Sequence, residues 1–254
     1  MPKFYFFWWF ILLVTSSASW AKNSTCDPQG VLYRDGYSVL NNIWGVTPKN
    51  DPVRGFSQCV TVFDDGVTRF QWSNFAQGRG KIKSYPHISV GWDWSGKFSK
   101  EGIFPLAVNV SSSLTAFFDF ETSGSGTYNT SFDIWMSRLA NPLEPRKDLS
   151  HEVMIWLDKK DWKIPRQRKA EVVVDGQVYD LYLDPTPYGQ WQVVSFVAQI
   201  PNFRGSLNLG QFFTYLASIG VLGGNEYING VSFGNEIGSG SGITLIKSFY
   251  IKKN

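Results

Sequence analysis

The chain has 254 residues, of which 43% are hydrophobic, enough for one β-rich domain or two small ones. Its formal net charge of +3 is too small to indicate a nucleic-acid-binding protein. Aromatic residues make up 17% of the chain. Such an excess is typical of a large core, and flat aromatic rings also stack on sugars.

The first 21 residues have the pattern of an export signal. Lys3 precedes an apolar run at 4–14, and small residues then lead to Ala21. The run is too short to span a bilayer of about 30 Å. We expect cleavage after Ala21 and a secreted mature chain without membrane association. Its net charge falls to about +2, because the segment holds one lysine and no acid. The alternative is an uncleaved membrane anchor.

Only two cysteines occur, Cys26 and Cys59. In an exported protein an isolated pair predicts one disulfide, which would tie the mature N-terminus to the next strand region. Two free buried thiols are the alternative.

Many short strand-like runs follow, separated by turn signals such as the one at 64–66. They predict an all-β fold, a jelly-roll sandwich of two curved antiparallel sheets, with residues 22–254 as a single domain. One segment has helical rather than strand periodicity and ends near Gly220. This single packed helix is predicted from the spacing of Leu209, Phe212, Phe213, Leu216 and Ile219.

Several chemistries are excluded by what the chain lacks. It has two histidines, His87 and His151, without other ligands at zinc-site spacing. There is no Gly-x-Ser-x-Gly elbow and no Gly-Lys-Ser/Thr phosphate loop. We therefore expect neither a metal nor an organic cofactor.

Carboxylates inside strands are the remaining candidates. In the run 151–157, strand alternation places Glu152, Met154 and Trp156 on one face. A charge beside Met and Trp is costly to bury without a reason. The alternative is a glutamate on a solvent-facing edge.

Three further segments combine polar groups with aromatic rings. Asp133 and Trp135 share a strand face, Asn42 lies two residues before Trp44, and Glu236 lies two residues after Gly234 at a strand end. Glycosidic cleavage needs two carboxyl groups and a surface that holds sugar rings. A non-catalytic glycan-binding jelly roll shares most of these features.

A basic stretch runs from 159 to 169, interrupted by Asp161 and Pro165. We interpret it as a solvated loop. The alternative is a basic lip that meets anionic wall polymers.

Four of these segments resemble motifs of glycoside hydrolase family 12. Residues 152–156, Glu-Val-Met-Ile-Trp, resemble the family's nucleophile strand, and 234–236, Gly-Asn-Glu, resemble its acid/base segment. Residues 42–45, Asn-Ile-Trp-Gly, and 132–135, Phe-Asp-Ile-Trp, resemble two further motifs. The order and spacing agree along nearly the whole mature chain. Cys26 and Cys59 match a disulfide of many members.

The resemblance implies a retaining, endo-acting hydrolase of β-1,4-glucosidic bonds in cellulose-like glucans, without a cofactor, and a monomer is expected. It implies Glu152 as nucleophile, Glu236 as acid/base and Asp133 as the residue that orients Glu152. The residues expected to contact substrate are Asn42, Trp44, Trp135, Met154 and Trp156. Asn235 departs from the family's usual threonine. A preference for xyloglucan or mixed-linkage glucan is the alternative within the enzyme class, and a secreted interaction protein is the alternative outside it.

Overall fold

The computed structural model describes residues 21–46, 56–75, 82–92, 98–99, 102–140, 148–164, 166–184 and 191–253. The predicted leader lies outside these residues except for Ala21, which begins the first strand. Cleavage after Ala21 therefore stays a prediction. Within the described part of the chain, no helix has both the length and the apolar character needed to cross a membrane.

Seventeen strands and one α-helix are formed by the described residues. In chain order the strands are β1 Ala21–Thr25, β2 Val31–Arg34, β3 Tyr37–Leu40, β4 Ser57–Phe63, β5 Thr68–Phe75, β6 His87–Trp92, β7 Phe98–Ser99, β8 Leu106–Ala107, β9 Leu114–Ser125, β10 Tyr128–Ser137, β11 Leu149–Lys160, β12 Ala170–Val174, β13 Gln177–Asp184, β14 Gln192–Ala198, β15 Arg204–Asn208, β16 Tyr227–Gly234 and β17 Gly240–Lys253. The helix is α1 Leu209–Ser218, and a 3-10 turn spans Val108–Val110.

The strands form two sheets. The smaller has the order β1-β4-β5-β17-β9-β15. The larger has the order β12-β13-β14-β11-β10-β16-β6-β3-β2, with β7 and β8 paired to β6 and β16. Two large sheets and a single helix confirm the predicted all-β jelly roll.

One strand pair differs from the predicted antiparallel arrangement. β11 and β14 are parallel, with Glu152 opposite Val193 and Trp156 opposite Val197. The reason is topological, because the β12–β13 hairpin is completed before β14 returns to β11. Both hairpin pairings are antiparallel, so β12 points in the same direction as β11. The connection 161–169 must therefore run back along the sheet before β12 begins.

The core lies between the two sheets and is rich in phenylalanine. Phe132 and Phe233 of the larger sheet meet Phe118 of the smaller one with ring centroids 4.7–6.1 Å apart. Burying such rings supplies roughly 2–3 kcal/mol each. Alternation along β10 and β11 turns the intervening residues to the opposite face, away from the core. We call this outer face of the larger sheet the cleft face.

Helix α1 closes the side of the core next to β13 and β14. Its Phe212 packs edge-on against Phe196 and Tyr179, at centroid distances of 5.0 and 5.2 Å. Gly220 ends the helix with φ +72°, a conformation that glycine adopts without strain. The predicted helix is confirmed, although Ile219 is 43% exposed rather than part of the buried stripe.

The disulfide between Cys26 and Cys59 is also confirmed. Pairing of β1 with β4 sets Thr25 opposite Val60. The next pair of residues in this antiparallel register is Cys26 and Cys59, so the two cysteines come together. The bond thus fastens the edge strand β1 to the smaller sheet.

We predict that a Cys26→Ser/Cys59→Ser double variant keeps the fold but unfolds at a lower denaturant concentration. Because the bond closes a loop of 33 residues, its loss should cost about 4 kcal/mol of unfolding free energy in the chain-entropy model. Urea titrations of both proteins measure this difference. Equal midpoints, or two titratable thiols in the denatured unreduced protein, would contradict the stabilising role.

Candidate active site

A cavity of about 420 Å³ opens on the cleft face. Its lining combines carboxyl groups with aromatic rings. Among the predicted site residues it includes Asn42, Trp44, Asp133, Trp135, Glu152 and Glu236. Side chains from separate parts of the sequence therefore converge in one place.

Strand alternation places two of the carboxyl groups. Val153 and Ile155 of β11 are fully buried in the core, so Glu152 points to the cleft face. In the pairing of β10 with β11, Trp135 lies opposite Glu152 and Asp133 lies opposite Met154. Asp133 and Glu152 are thus diagonal neighbours on one face, which allows their side chains to interact.

The third carboxyl group is held from the end of β16. Gly234 passes so close to β6 that a Cβ would stand 2.1 Å from the carbonyl oxygen of Pro86, so only glycine fits there. The chain then delivers Glu236 to Asn129 of β10. The Asn129 amide nitrogen donates to the Glu236 carboxylate, and the backbone N–H of Glu236 donates to Asn129 Oδ1 at 3.1 Å.

Among the described residues, the acceptors of the Asn235 amide nitrogen do not include the Glu236 carboxylate. That nitrogen instead donates to the backbone oxygen of Asn129 at 3.1 Å and to Thr130 Oγ1 at 2.9 Å. The residue that departs from the resembled motif therefore supports Asn129, and Asn129 in turn holds Glu236. Asn129 is therefore the hydrogen-bond partner of the Glu236 carboxylate.

Glu152 and Asp133 each accept a hydrogen bond from an indole. Trp191 Nε1 donates to Glu152 at 3.0 Å, and Trp135 Nε1 donates to Asp133 at 3.0 Å. The two rings meet edge to face with centroids 5.4 Å apart. The indoles fix both carboxyl groups while forming an apolar wall of the cavity.

The low polarity of the cavity shifts all three carboxyl groups. Burial raises the pKa of Glu152 to about 7, against the Trp191 hydrogen bond and the positive charge of Arg166, which lower it. Burial and the charge of Glu152 raise the pKa of Glu236 to about 8, although Asn129 and Arg166 oppose the shift. Burial, together with the charges of both glutamates, raises the pKa of Asp133 well above its ordinary value. An ionised Glu152 therefore favours the protonated forms of Glu236 and Asp133.

Trp44 is presented by a firmly held loop. Ile43 is buried, its N–H donates to Pro28, and its oxygen accepts from Gln29. On the other side of Trp44, Gly45 approaches Ile82 so closely that a Cβ would stand 2.5 Å from the Ile82 oxygen. The Trp44 ring is 50% exposed and lines the cavity, as a sugar platform requires.

Met154 and Trp156 lie on the cleft face but do not line the cavity. They are buried in a small cluster with Val193 and Val197. The connection after β11 covers them, since Trp162 packs edge-on against Trp156 at 5.4 Å. Strand alternation predicted the correct face but could not reveal that another part of the chain occupies it.

The basic stretch is not simply a solvated loop. Trp162 and Ile164 pack against the Met154–Trp156 cluster. Arg166 Nε lies 3.2 Å from Asp184, and Arg168 lies 2.9 Å from Asp180. The connection is therefore tied to the cleft face by apolar and ionic contacts.

Several lining residues were missed by the sequence analysis. Asn129, which does not line the cavity but holds Glu236, was missed too and could have been found, because it shares a strand face with Asp133 and Trp135. Trp191 gave no signal, since parallel pairing of β14 with β11 cannot be read from local periodicity. The other lining residues not predicted are Gln29, Ile82, Tyr85, His87 and Ser232.

We predict that Trp191→Phe raises the pKa of Glu152, because the indole N–H stabilises the ionised carboxylate and phenylalanine has no such donor. Titration of ¹³C-labelled glutamate side chains by NMR measures the shift. Trp162→Phe is the matched control, since Trp162 contacts Trp156 rather than a carboxyl group. An unchanged or lowered Glu152 pKa in Trp191→Phe would show that the hydrogen bond does not set its charge state.

Comparisons with known proteins identify the family of the chain. Endoglucanase S of Pectobacterium parmentieri is 27% identical over 89% of this chain and 86% of its own length. A probable xyloglucan-specific endo-β-1,4-glucanase A of Aspergillus fumigatus is 26% identical over 92% of this chain and 93% of its own. The structure of a family 12 xyloglucanase from Bacillus licheniformis superimposes with a TM-score of 0.82 at 26% identity, over 91% of this chain and 100% of that one.

The family model described as glycosyl hydrolase family 12 matches residues 35–253. This span contains both glutamates, Asp133 and every strand of the larger sheet from β3 onward. The chain therefore belongs to glycosyl hydrolase family 12.

Proposed function

We propose that the protein hydrolyses internal β-1,4-glucosidic bonds of glucans by a retaining, two-step mechanism. The observation that carries this proposal is the convergence of Glu152 and Glu236 in one cavity, where the charge of Glu152 raises the pKa of Glu236. An ionised Glu152 favours a protonated Glu236, so one group can attack as a nucleophile while the other donates a proton.

In the first step, ionised Glu152 attacks the anomeric carbon and Glu236 gives its proton to the departing sugar oxygen. Forming the covalent bond removes the negative charge of Glu152. The pKa of Glu236 then falls, because that charge was one of the causes that raised it. Glu236 can now act as a base, and it activates the water molecule that releases the sugar.

Asp133 acts through Glu152 rather than on the substrate. Its Oδ2 accepts from Trp135, while its Oδ1 has no hydrogen-bond partner among the described residues. Burial beside two carboxyl groups raises the pKa of Asp133 and so favours its protonated form, which can donate a hydrogen bond to Glu152. Such a bond would orient the nucleophile and favour its ionised form.

The substrate class and the place of action are inferred from Trp44, from the relatives and from the leader pattern. The exposed Trp44 ring offers an apolar face for a sugar ring in the lining of the cavity, which also includes Asn42. Relatives include an endoglucanase and xyloglucan-specific endo-β-1,4-glucanases, so the β-1,4-glucan backbone is the substrate class that we assign. The leader pattern at 1–21 and the disulfide support action outside the cell. Hydrolysis rates on carboxymethylcellulose, xyloglucan and mixed-linkage glucan would rank these three substrates.

We predict that Glu152→Ala and Glu236→Ala each reduce the rate on carboxymethylcellulose by about 10³-fold or more, because both groups act in the transition state. Glu171→Ala is the matched control, since Glu171 lies on the edge strand β12 and does not line the cavity. A reducing-sugar assay measures all three. Full activity of either cavity variant would show that the wrong acid has been assigned.

Azide distinguishes the two roles. In Glu236→Ala, a dinitrophenyl β-glycoside needs no proton donor, so the covalent intermediate forms and azide converts it to a β-glycosyl azide. In Glu152→Ala no covalent intermediate forms, and azide enters from the vacated side to give an α-glycosyl azide. Proton NMR identifies the anomers. The reverse assignment of products would contradict the proposed roles.

We further predict that Asn129→Ala moves the alkaline limb of the kcat/KM profile to higher pH. The Asn129 amide stabilises ionised Glu236, so its loss raises the pKa of Glu236 and keeps the acid protonated for longer. Asn202→Ala is the control, because Asn202 donates to Gln177 and does not line the cavity. A downward shift, or an equal shift in the control, would argue against Asn129 as the partner of Glu236.

A further inference from the structure

The lining of the cavity runs from Trp44, after β3, to Trp191, just before β14, and it includes no residue of β13. In the strand order of the larger sheet, Trp44 follows β3, on the β6 side of Glu152. An enzyme that cuts inside a chain must hold sugars on both sides of the bond. The cleft face toward β14 and β13 must therefore contribute the second half of the binding surface.

The registers show which residues lie there. Glu152 is opposite Val193 of β14, and Val193 is opposite Asp184 of β13. Residues that are directly opposite point to the same face, so Asp184 shares the cleft face with Glu152. Two strand spacings separate them, roughly 10 Å. A bound glucan that extends from Glu152 toward β13 reaches Asp184 within its first sugar units.

The connection after β11 brings the guanidinium group of Arg166 to Asp184. Because β11 and β12 point in the same direction, the connection runs back along the cleft face from the end of β11. Trp162 and Ile164 anchor it, and Arg166 Nε then lies 3.2 Å from the Asp184 carboxylate. The charge of Arg166 reaches both glutamates, since it lowers the pKa of each.

The ion pair is accessible and suited to sugar hydroxyl groups. The side chains of Arg166 and Asp184 are 31% and 24% exposed, respectively. A guanidinium group has five donors in a rigid fork, and a carboxylate accepts several hydrogen bonds. Because each group orients the other, little side-chain freedom remains to be lost when a sugar binds.

We propose that Arg166, held by Asp184, is a specificity-determining residue that binds the glucan on the side of Glu152 opposite Trp44. This inference rests on the proposed glucanase function and adds a second binding point to the same cleft. The pair donates to and accepts from sugar hydroxyl groups, and it thereby sets how many sugar units the enzyme holds on that side.

The test is the cleavage pattern of cellohexaose labelled with ¹⁸O at its reducing end, read by mass spectrometry. Arg166→Ala should redistribute cleavage by about tenfold toward bonds that leave fewer sugars on the Arg166 side. Trp44→Ala should shift the pattern in the opposite direction, because it weakens the other side. Arg168→Ala is the matched control, since Arg168 is paired to Asp180 of the same strand, four residues from Asp184.

An unchanged pattern in Arg166→Ala, a shift in the same direction as Trp44→Ala, or an equal shift in Arg168→Ala would each overturn the inference. Circular dichroism checks that the variants fold. If Arg166→Ala does not fold, Arg166→Lys decides, because it keeps the charge beside Asp184 but loses the fork of donors, and a smaller shift in the same direction is expected. A wild-type protein that leaves the hexamer intact would overturn the proposed function itself.

Discussion

Three carboxyl groups, those of Asp133, Glu152 and Glu236, share one poorly solvated cavity, and they cannot all be ionised together. Burial raises the pKa of each, and the ionised charge of Glu152 raises the pKa of the other two further. Such coupled groups titrate as a set. The hydrogen bond from Trp191 favours the ionised form of Glu152, and that charge in turn favours protonated Glu236, as the proposed nucleophile and acid require. The surrounding fold can be understood as the support for this arrangement.

That support comes from strand alternation, which turns one face of β11 into the core and the other to the cleft. Val153 and Ile155 fill the core and thereby fix the direction of Glu152 on the opposite face. The parallel pairing of β11 with β14 brings Trp191 to Glu152, and it also forces the connection 161–169 to return along the cleft face. One topological feature thus supplies the hydrogen bond to Glu152, the cover over Trp156 and the position of Arg166.

Local patterns in the sequence predicted the elements and several site residues, because a period of two or of 3.6 is set by neighbours along the chain. They placed Glu152 and Asp133 on the correct faces and identified the helix. They could not predict that Trp162 covers Met154 and Trp156, since this contact depends on the path between two strands of equal direction. The partnership of Asn129 with Glu236 was missed for a related reason, because it joins positions 107 residues apart.

The central claim is that Glu152 forms a covalent bond to the substrate while Glu236 supplies the proton. The most direct measurement is trapping with a dinitrophenyl 2-deoxy-2-fluoro-β-cellobioside, followed by proteolysis and tandem mass spectrometry. The fluorine slows release of the glycosyl-enzyme more than its formation with so good a leaving group. The account predicts one sugar label per protein molecule, attached to Glu152. A label on Glu236 or Asp133, or turnover without any labelled peptide, would contradict it.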